Sequence, residues 1–311
     1  MDVVSLFSGI GGLDIGFSDA GYNIVWANDF DKYAVQTYRA NLGDHIVLGD
    51  INEIPLEDIP NHDVLIGGFP CQPFSMMGEM RGFEDTRGTL FFRIVEIIRN
   101  QIERGHRPRA IILENVRSLR THDNGNTFAI IRRTLEELGY RVYDDVLNSA
   151  KYGVPQTRNR KYIVCFANYD VNYHYPTTVD LNGLTLQDLL EHDVDDKYFL
   201  SERILPTILS NGTGGYQGKS EIDLQIARPL CATMAKMHRA CQDNYVTQNG
   251  RVRRLTPREC ARLQGFDEEF TIPVSDSQAY KQFGNAVTVN VSRAIAESVR
   301  TALLEVGEWI E

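Results

Sequence analysis

The stretch Val3-Val4-Ser5-Leu6-Phe7-Ser8-Gly9-Ile10-Gly11-Gly12 is a short apolar run that stops in a glycine-rich turn. A run of that length bounded by turn residues reads as a buried strand. The glycines let the backbone turn tightly and approach a ligand at a helix N-terminus. Their spacing is Gly-x-Gly-Gly, not the Gly-x-Gly-x-x-Gly of dinucleotide sites. Further strands are expected at Ile24–Ala27, Ile46–Leu48, Val64–Ile66, Ala110–Leu113 and Tyr162–Phe166. Helical patterns lie between them, at Leu13–Ala20, Lys32–Ala40, Thr89–Glu103 and Thr127–Leu138, the last stopped by Gly139. This alternation predicts an α/β fold with a mainly parallel sheet covered on both faces. After Asn168 the pattern breaks. Residues 169–250 read as loop-rich around Asn211-Gly-Thr-Gly-Gly-Tyr-Gln-Gly218. Thr256-Pro257-Arg258-Glu259 then has the form of a helix start, with Thr as N-cap and Glu at the third helical position. A last helix is expected from about Asn290 to Leu304.

The 311 residues suggest two domains of about 150 each. With 42% hydrophobic and 24% charged residues, a disordered chain, a collagen and a coiled coil are excluded. No apolar stretch is long enough to span a membrane, and the N-terminus lacks the basic segment of a secretory signal. Five cysteines (71, 165, 231, 241 and 260) without a Cys-x-x-Cys pair argue against a disulfide scaffold or a zinc knuckle and fit a reducing cytosol; no metal is expected. The net charge of −10 conceals two basic patches. Residues 228–262 carry eight basic residues against two acids, and residues 93–133 nine arginines against four acids. Local patches matter more to phosphate binding than the total, although each taken alone reads more simply as a solvated face.

Several residues carry chemistry. Asp29 and Phe30 follow the second strand, about twenty residues past the glycines, where a carboxylate can accept from ribose hydroxyls. Asp50-Ile51 follows the third, where an acid can accept from an adenine amino group. Together these suggest an adenosine-containing cofactor. Gly67-Gly-Phe-Pro-Cys71-Gln-Pro-Phe-Ser75 follows the fourth strand, at the end where open α/β sheets place their sites. A cysteine between two prolines cannot sit inside a helix or a central strand. A lone cysteine is usually structural; the loop position after two glycines favours a nucleophile. Glu114 ends the fifth strand facing the same crevice, unless it serves as a helix cap or ion pair. In Gln156-Thr-Arg158-Asn-Arg160, alternation puts the two arginines on one face, unless they are surface residues.

The ordered set resembles the DNA (cytosine-5)-methyltransferases, specifically the compact bacterial modification enzymes. The matching stretches are Phe7–Gly12, Asp29-Phe30, Asp50-Ile51, Gly67–Ser75, Asp85–Leu90, Glu114–Val116, Gln156–Arg160, Arg254–Phe266 and Gln282–Ala286, in family order over nearly the whole chain. Asp29 departs from the Glu frequent among relatives by one methylene. The resemblance implies a Rossmann-like catalytic domain and a small, loop- and β-rich target-recognition domain. It divides the chain into 1–187 (catalytic), 188–252 (target recognition) and 253–311 (hinge and returning helix). It implies S-adenosyl-L-methionine held by Phe7, Ser8, Gly9, Gly11, Gly12, Asp29, Phe30, Asp50, Ile51, Leu90, Asn285 and Ala286. Cys71 is then the nucleophile on a cytosine flipped out of duplex DNA, Glu114 holds ring nitrogen-3, Arg160 the ring carbonyl, and Arg158 supports it.

Ser75 and Gln217 are expected at the flipped nucleotide or the gap it leaves, and Thr233, with Met234, resembles the Thr-Leu pair of recognition regions. Arg253 and Arg254 are expected on phosphates. The implied partner is double-stranded DNA, with no membrane, for a monomer of the bacterial cytoplasm and nucleoid whose cognate restriction endonuclease is a genetic partner. A transfer-RNA methyltransferase on the same scaffold and a non-enzymatic DNA-binding relative are the rivals. Intact Cys71, Glu114 and Arg160 weigh against the second; a nicotinamide dehydrogenase is disfavoured by the glycine spacing.

Overall fold

The computed structural model describes residues 1–70, 90–211 and 218–309. Its elements in chain order are β1 (Asp2–Leu6), α1 (Gly12–Asp19), β2 (Asn23–Asp29), α2 (Lys32–Leu42), β3 (Ile46–Leu48), β4 (Val64–Gly68), α3 (Leu90–Glu103), β5 (Ala110–Val116), α4 (Asn126–Glu137), β6 (Arg141–Asn148), β7 (Asn159–Phe166), α5 (Leu205–Leu209), β8 (Tyr245–Gln248), β9 (Arg251–Arg254), α6 (Pro257–Leu263), α7 (Asp276–Asn285) and α8 (Val289–Glu305). Among the described residues, no helix is long and apolar enough to cross a membrane.

Packing divides the chain into two compact units. The first comprises Met1–Leu147, Asn159–Thr177 and Val291–Glu311. Its seven-stranded sheet runs β3-β2-β1-β4-β5-β7-β6. β1 pairs in parallel with β2 and β4, as do β2 with β3 and β4 with β5. The mainly parallel α/β sheet is therefore present, with β7 antiparallel to β5. β6 was not among the expected strands, because its alternation of buried and half-exposed residues is irregular. Between β1 and β4 the strand order reverses, and open α/β sheets place their crevices at such a point. Val4, Leu6, Leu65, Ile111, Leu113 and Ile163 form one face of the sheet and pack against Phe91, Ile94, Val95 and Ile98 of α3 and Ile131 and Leu135 of α4. Each such large apolar side chain, fully buried, contributes roughly 1.5–3 kcal/mol. The final helix belongs to this unit from Val291 onward: Ser292 Oγ donates to the Leu13 carbonyl at 2.7 Å, and Arg293 pairs with Asp19.

The second unit comprises Asn148–Arg158 and Thr178–Asn290. Its hairpin β8–β9 turns on Asn249 and Gly250, both at positive φ (51° and 74°), as a two-residue type I′ connection requires. The expected start of α6 is present as a reciprocal capping box: Thr256 takes the Glu259 amide and Glu259 the Thr256 amide.

Candidate active site

The glycine turn leaves β1 through Phe7 (φ 55°), Gly9 (φ 57°) and Gly11 (φ 87°), the last capping α1. For Phe7 the left-handed conformation costs about 1–2 kcal/mol, so the surroundings must hold it. Ser8 N–H donates to the Asn28 carbonyl and Gly9 N–H to an Asp29 oxygen, both at 2.9 Å. The other Asp29 oxygen takes the Asp31 amide at 2.8 Å. Beneath the turn lies a buried polar chain that the sequence did not reveal. Asp14 accepts from Ser5 Oγ (2.9 Å) and Tyr38 Oη (2.8 Å), and Ser8 Oγ donates to Ser5 Oγ. Burial pushes the Asp14 carboxyl up to about 6, against the pull of its two hydroxyl donors. Asp14 and Tyr38 carry no motif signal beyond a polar residue on a helix face.

Along the same edge, Phe30 is 75% exposed, and Asp50 is an exposed acid whose Oδ1 accepts from the Asn52 amide. Ile51 is buried, and Leu90, half-buried, starts α3. An exposed aromatic face, carboxylates at two strand ends and a tight glycine turn fit an adenosyl group.

Glu114, buried near the end of β5, registers with Gly68 at the end of β4 and with Tyr162 of β7. Its carboxylate pairs with Arg160 Nε at 3.1 Å, on a strand position registered with Val116. Asn115 Nδ2 donates to the Phe69 carbonyl at 2.8 Å, tethering the chain two residues before Cys71. In the sequence Asn115 stands out only as part of the Glu114-Asn-Val motif, with no signal for this tether. Cys71, Ser75 and Gln217 lie outside the described residues.

The second unit holds the other expected site residues. Arg158 precedes β7, so strand alternation does not place it on the face of Arg160. Its buried guanidinium donates to the carbonyls of Leu230, Gly284 and Ala286 at 2.9–3.1 Å and braces this unit. Ala286 is buried beside it, and Asn285 is exposed at the end of α7. Thr233 Oγ1 shares a 2.9 Å hydrogen bond with His238 Nε2 across a turn in which Met237 is left-handed (φ 51°).

Arg253 is a correction. Its side chain and that of Glu259 are 0% exposed, joined by a two-pronged ion pair at 2.7 and 2.8 Å, so it cannot reach a phosphate as expected. Arg254 is partly accessible, its guanidinium 5.0 Å from the Tyr280 ring and 5.8 Å from that of Tyr198. Much of the rest of this basic patch is likewise engaged internally: Arg251 pairs with Asp196 and Arg262 with Glu268, and Arg258 donates to the carbonyls of Asp267 and Phe270.

The family model of the C-5 cytosine-specific DNA methylases matches residues 1–301. The chain is 41% identical to the Type II methyltransferase M.NlaX of Neisseria lactamica, over 98% of each protein. It is 38% identical to the Type II methyltransferase M.HhaI of Haemophilus parahaemolyticus, over 96% of this chain and 94% of that one. Among solved structures, the Entamoeba histolytica methyltransferase EhMeth superposes with a TM-score of 0.77 at 19% identity, and the Dnmt2 methyltransferase of S. pombe with 0.76 at 20%, each covering 99% of both chains. At that identity these two speak for the fold.

Proposed function

The chain belongs to the C-5 cytosine-specific DNA methylases, and from that premise we propose that it methylates a cytosine flipped out of a specific duplex sequence, through a covalent adduct with Cys71, as the modification half of a restriction–modification system. The pairing of Glu114 with Arg160 at 3.1 Å, beside the strand end that leads to Cys71, carries the reading. The Cys71 thiolate adds its electron pair to carbon-6 of the ring, and carbon-5 becomes nucleophilic. Glu114 holds ring nitrogen-3 and favours that addition, while Arg160 holds the ring carbonyl. After methylation, loss of the carbon-5 proton to a base and cleavage of the sulfur–carbon-6 bond return the thiolate.

S-adenosyl-L-methionine, when bound, supplies an electrophilic methyl group. The glycine turn, Asp29, Phe30, Asp50, Ile51 and Leu90 would hold it, with Asn285 at the last position of α7 and Ala286 just after it also contributing. Residues 188–252 would read base edges in the major groove, where all four base pairs differ. Thr233 would serve there, Ser75 and Gln217 would meet the flipped nucleotide or fill the gap it leaves, and Arg254 would contact a phosphate.

The test is tritium transfer from labelled S-adenosylmethionine to duplex DNA, with transfer RNA as a parallel substrate, and trapping on 5-fluorocytosine DNA. The wild-type chain should label DNA and form the covalent complex, and Cys71→Ser should do neither. Wild-type turnover in Cys71→Ser, or labelling of RNA alone, overturns the reading.

A further inference from the structure

The arginines between Arg93 and Arg133 form the basic patch that the catalytic reading leaves unused. The structure sorts them by partner. Arg93 donates to the carbonyls of Ile51 and Ile54 and pairs with Glu96. Arg104 donates to the Ile59 carbonyl and Arg107 to that of Leu138, and Arg109 faces Asp63 at 3.5 Å. Arg132 bridges Glu136 and Asp144, and Arg133 meets Glu137 at 3.8 Å. Arg117 and Arg120 differ. Both are exposed, and among the described residues neither side chain has a hydrogen bond or an ion pair.

Their position is specific. They are the first and last residues of a four-residue 3-10 turn that follows β5 directly. With three residues per turn, positions three apart eclipse, so both side chains leave on one side. Leu119 between them is buried in the apolar core and fixes the turn's orientation. Val116, the residue before Arg117, is registered with Arg160, so the two cations stand one step beyond the Glu114–Arg160 pair. The chain then leaves through Asp123, Asn124 and Gly125, three successive residues at positive φ (49°, 54° and 90°), with His122 Nδ1 and Thr127 Oγ1 2.7 Å apart across the bend.

We propose that Arg117 and Arg120 bind backbone phosphates flanking the target cytosine on its own strand. This rests on the reading of Glu114 as the base-holding acid. A nucleotide held at Glu114 brings its neighbouring phosphates to the rim of that strand end, where two cations that have no acidic partner among the described residues can replace condensed counterions. Such contacts set the register of the strand without reading sequence.

The test is equilibrium binding of the full chain to a short duplex across a salt series. Each neutralised phosphate contact contributes about 0.9 to the slope of log affinity against log salt. Arg117→Gln/Arg120→Gln should therefore flatten the slope by about two units, and each single variant by about one. KM for DNA should rise more than kcat falls, because phosphate contacts are made equally in ground and transition states. S-adenosylmethionine affinity should be unchanged. Arg133→Gln, equally a loss of one exposed arginine, should leave the slope alone. A wild-type slope in the double variant, or an equal effect in Arg133→Gln, overturns the proposal while leaving the methyltransferase reading intact. A wild-type chain with no salt-dependent duplex binding removes both.

Discussion

Replacing Arg253 by alanine separates a structural arginine from a DNA-contacting one by magnitude. Its guanidinium makes two bonds to Glu259, one to Gln248 Oε1 at 2.6 Å and one to the Arg254 carbonyl at 3.0 Å. Glu259 in turn accepts the amides of Thr256 (2.8 Å) and Glu191 (2.9 Å). With both side chains fully buried, truncating the cation leaves a carboxylate in the interior with only neutral donors. Breaking a buried pair in this way costs about 3–5 kcal/mol. Lysine keeps the charge but lacks the planar fork, so Arg253→Lys should still lose about 1.5–3 kcal/mol, the value of a charged hydrogen bond. A phosphate-contacting surface arginine behaves otherwise: its removal changes stability by at most about 0.5 kcal/mol and flattens the salt slope by about one unit. Equilibrium urea unfolding of the full chain, followed by far-ultraviolet circular dichroism, measures the first quantity, and a salt series of duplex binding the second. The expected outcome is a large fall in the urea midpoint for Arg253→Ala and a smaller one for Arg253→Lys. An Arg253→Ala chain that unfolds at the wild-type midpoint yet loses salt dependence would refute the argument.

Two further substitutions probe the glycine turn. Asp14, raised to about 6 by burial from an unfolded value near 3.8, binds its proton more tightly in the native state. Its contribution to stability is therefore complete below about pH 4 and lost as the pH rises through 6, on the order of 3 kcal/mol in all. The difference in unfolding free energy between wild type and Asp14→Asn should trace that loss between pH 4 and 6, and a pH-independent difference would disprove it. Gly11→Ala should destabilise the chain by about 1–2 kcal/mol or more and weaken S-adenosylmethionine binding. The residue sits at φ 87°, and an added Cβ would lie 2.2 Å from Leu42 Cδ1. Calorimetric titration with wild-type affinity in a fully folded Gly11→Ala variant would contradict this.

The features legible in the sequence are those set by neighbours along the chain. Strand–helix alternation, the turn after β1 and the capping box of Thr256 and Glu259 depend on periodicity and on spacings of a few residues. The order of the motifs likewise identified the family without knowledge of where any side chain points. Asn249-Gly250 is an equally local hairpin signal, flanked by Tyr245–Gln248 and Arg251–Arg254, but it closes a segment whose composition is otherwise that of a loop. β6 offered no such signal, because its regularity comes from its place in the sheet rather than from its own alternation.

The arginines show what only the tertiary structure decided. Arg158, Arg160, Arg253 and Arg117 are the same residue type in similarly polar surroundings of sequence. One braces carbonyls contributed from more than seventy positions away, one meets Glu114, one is sealed against Glu259, and one stands exposed with no partner among the described residues. A guanidinium takes its role from the oxygen it finds, and a distant oxygen is brought near only when the chain folds. Charge counted along the sequence therefore located two basic patches but could not say which of their cations were already neutralised inside the protein.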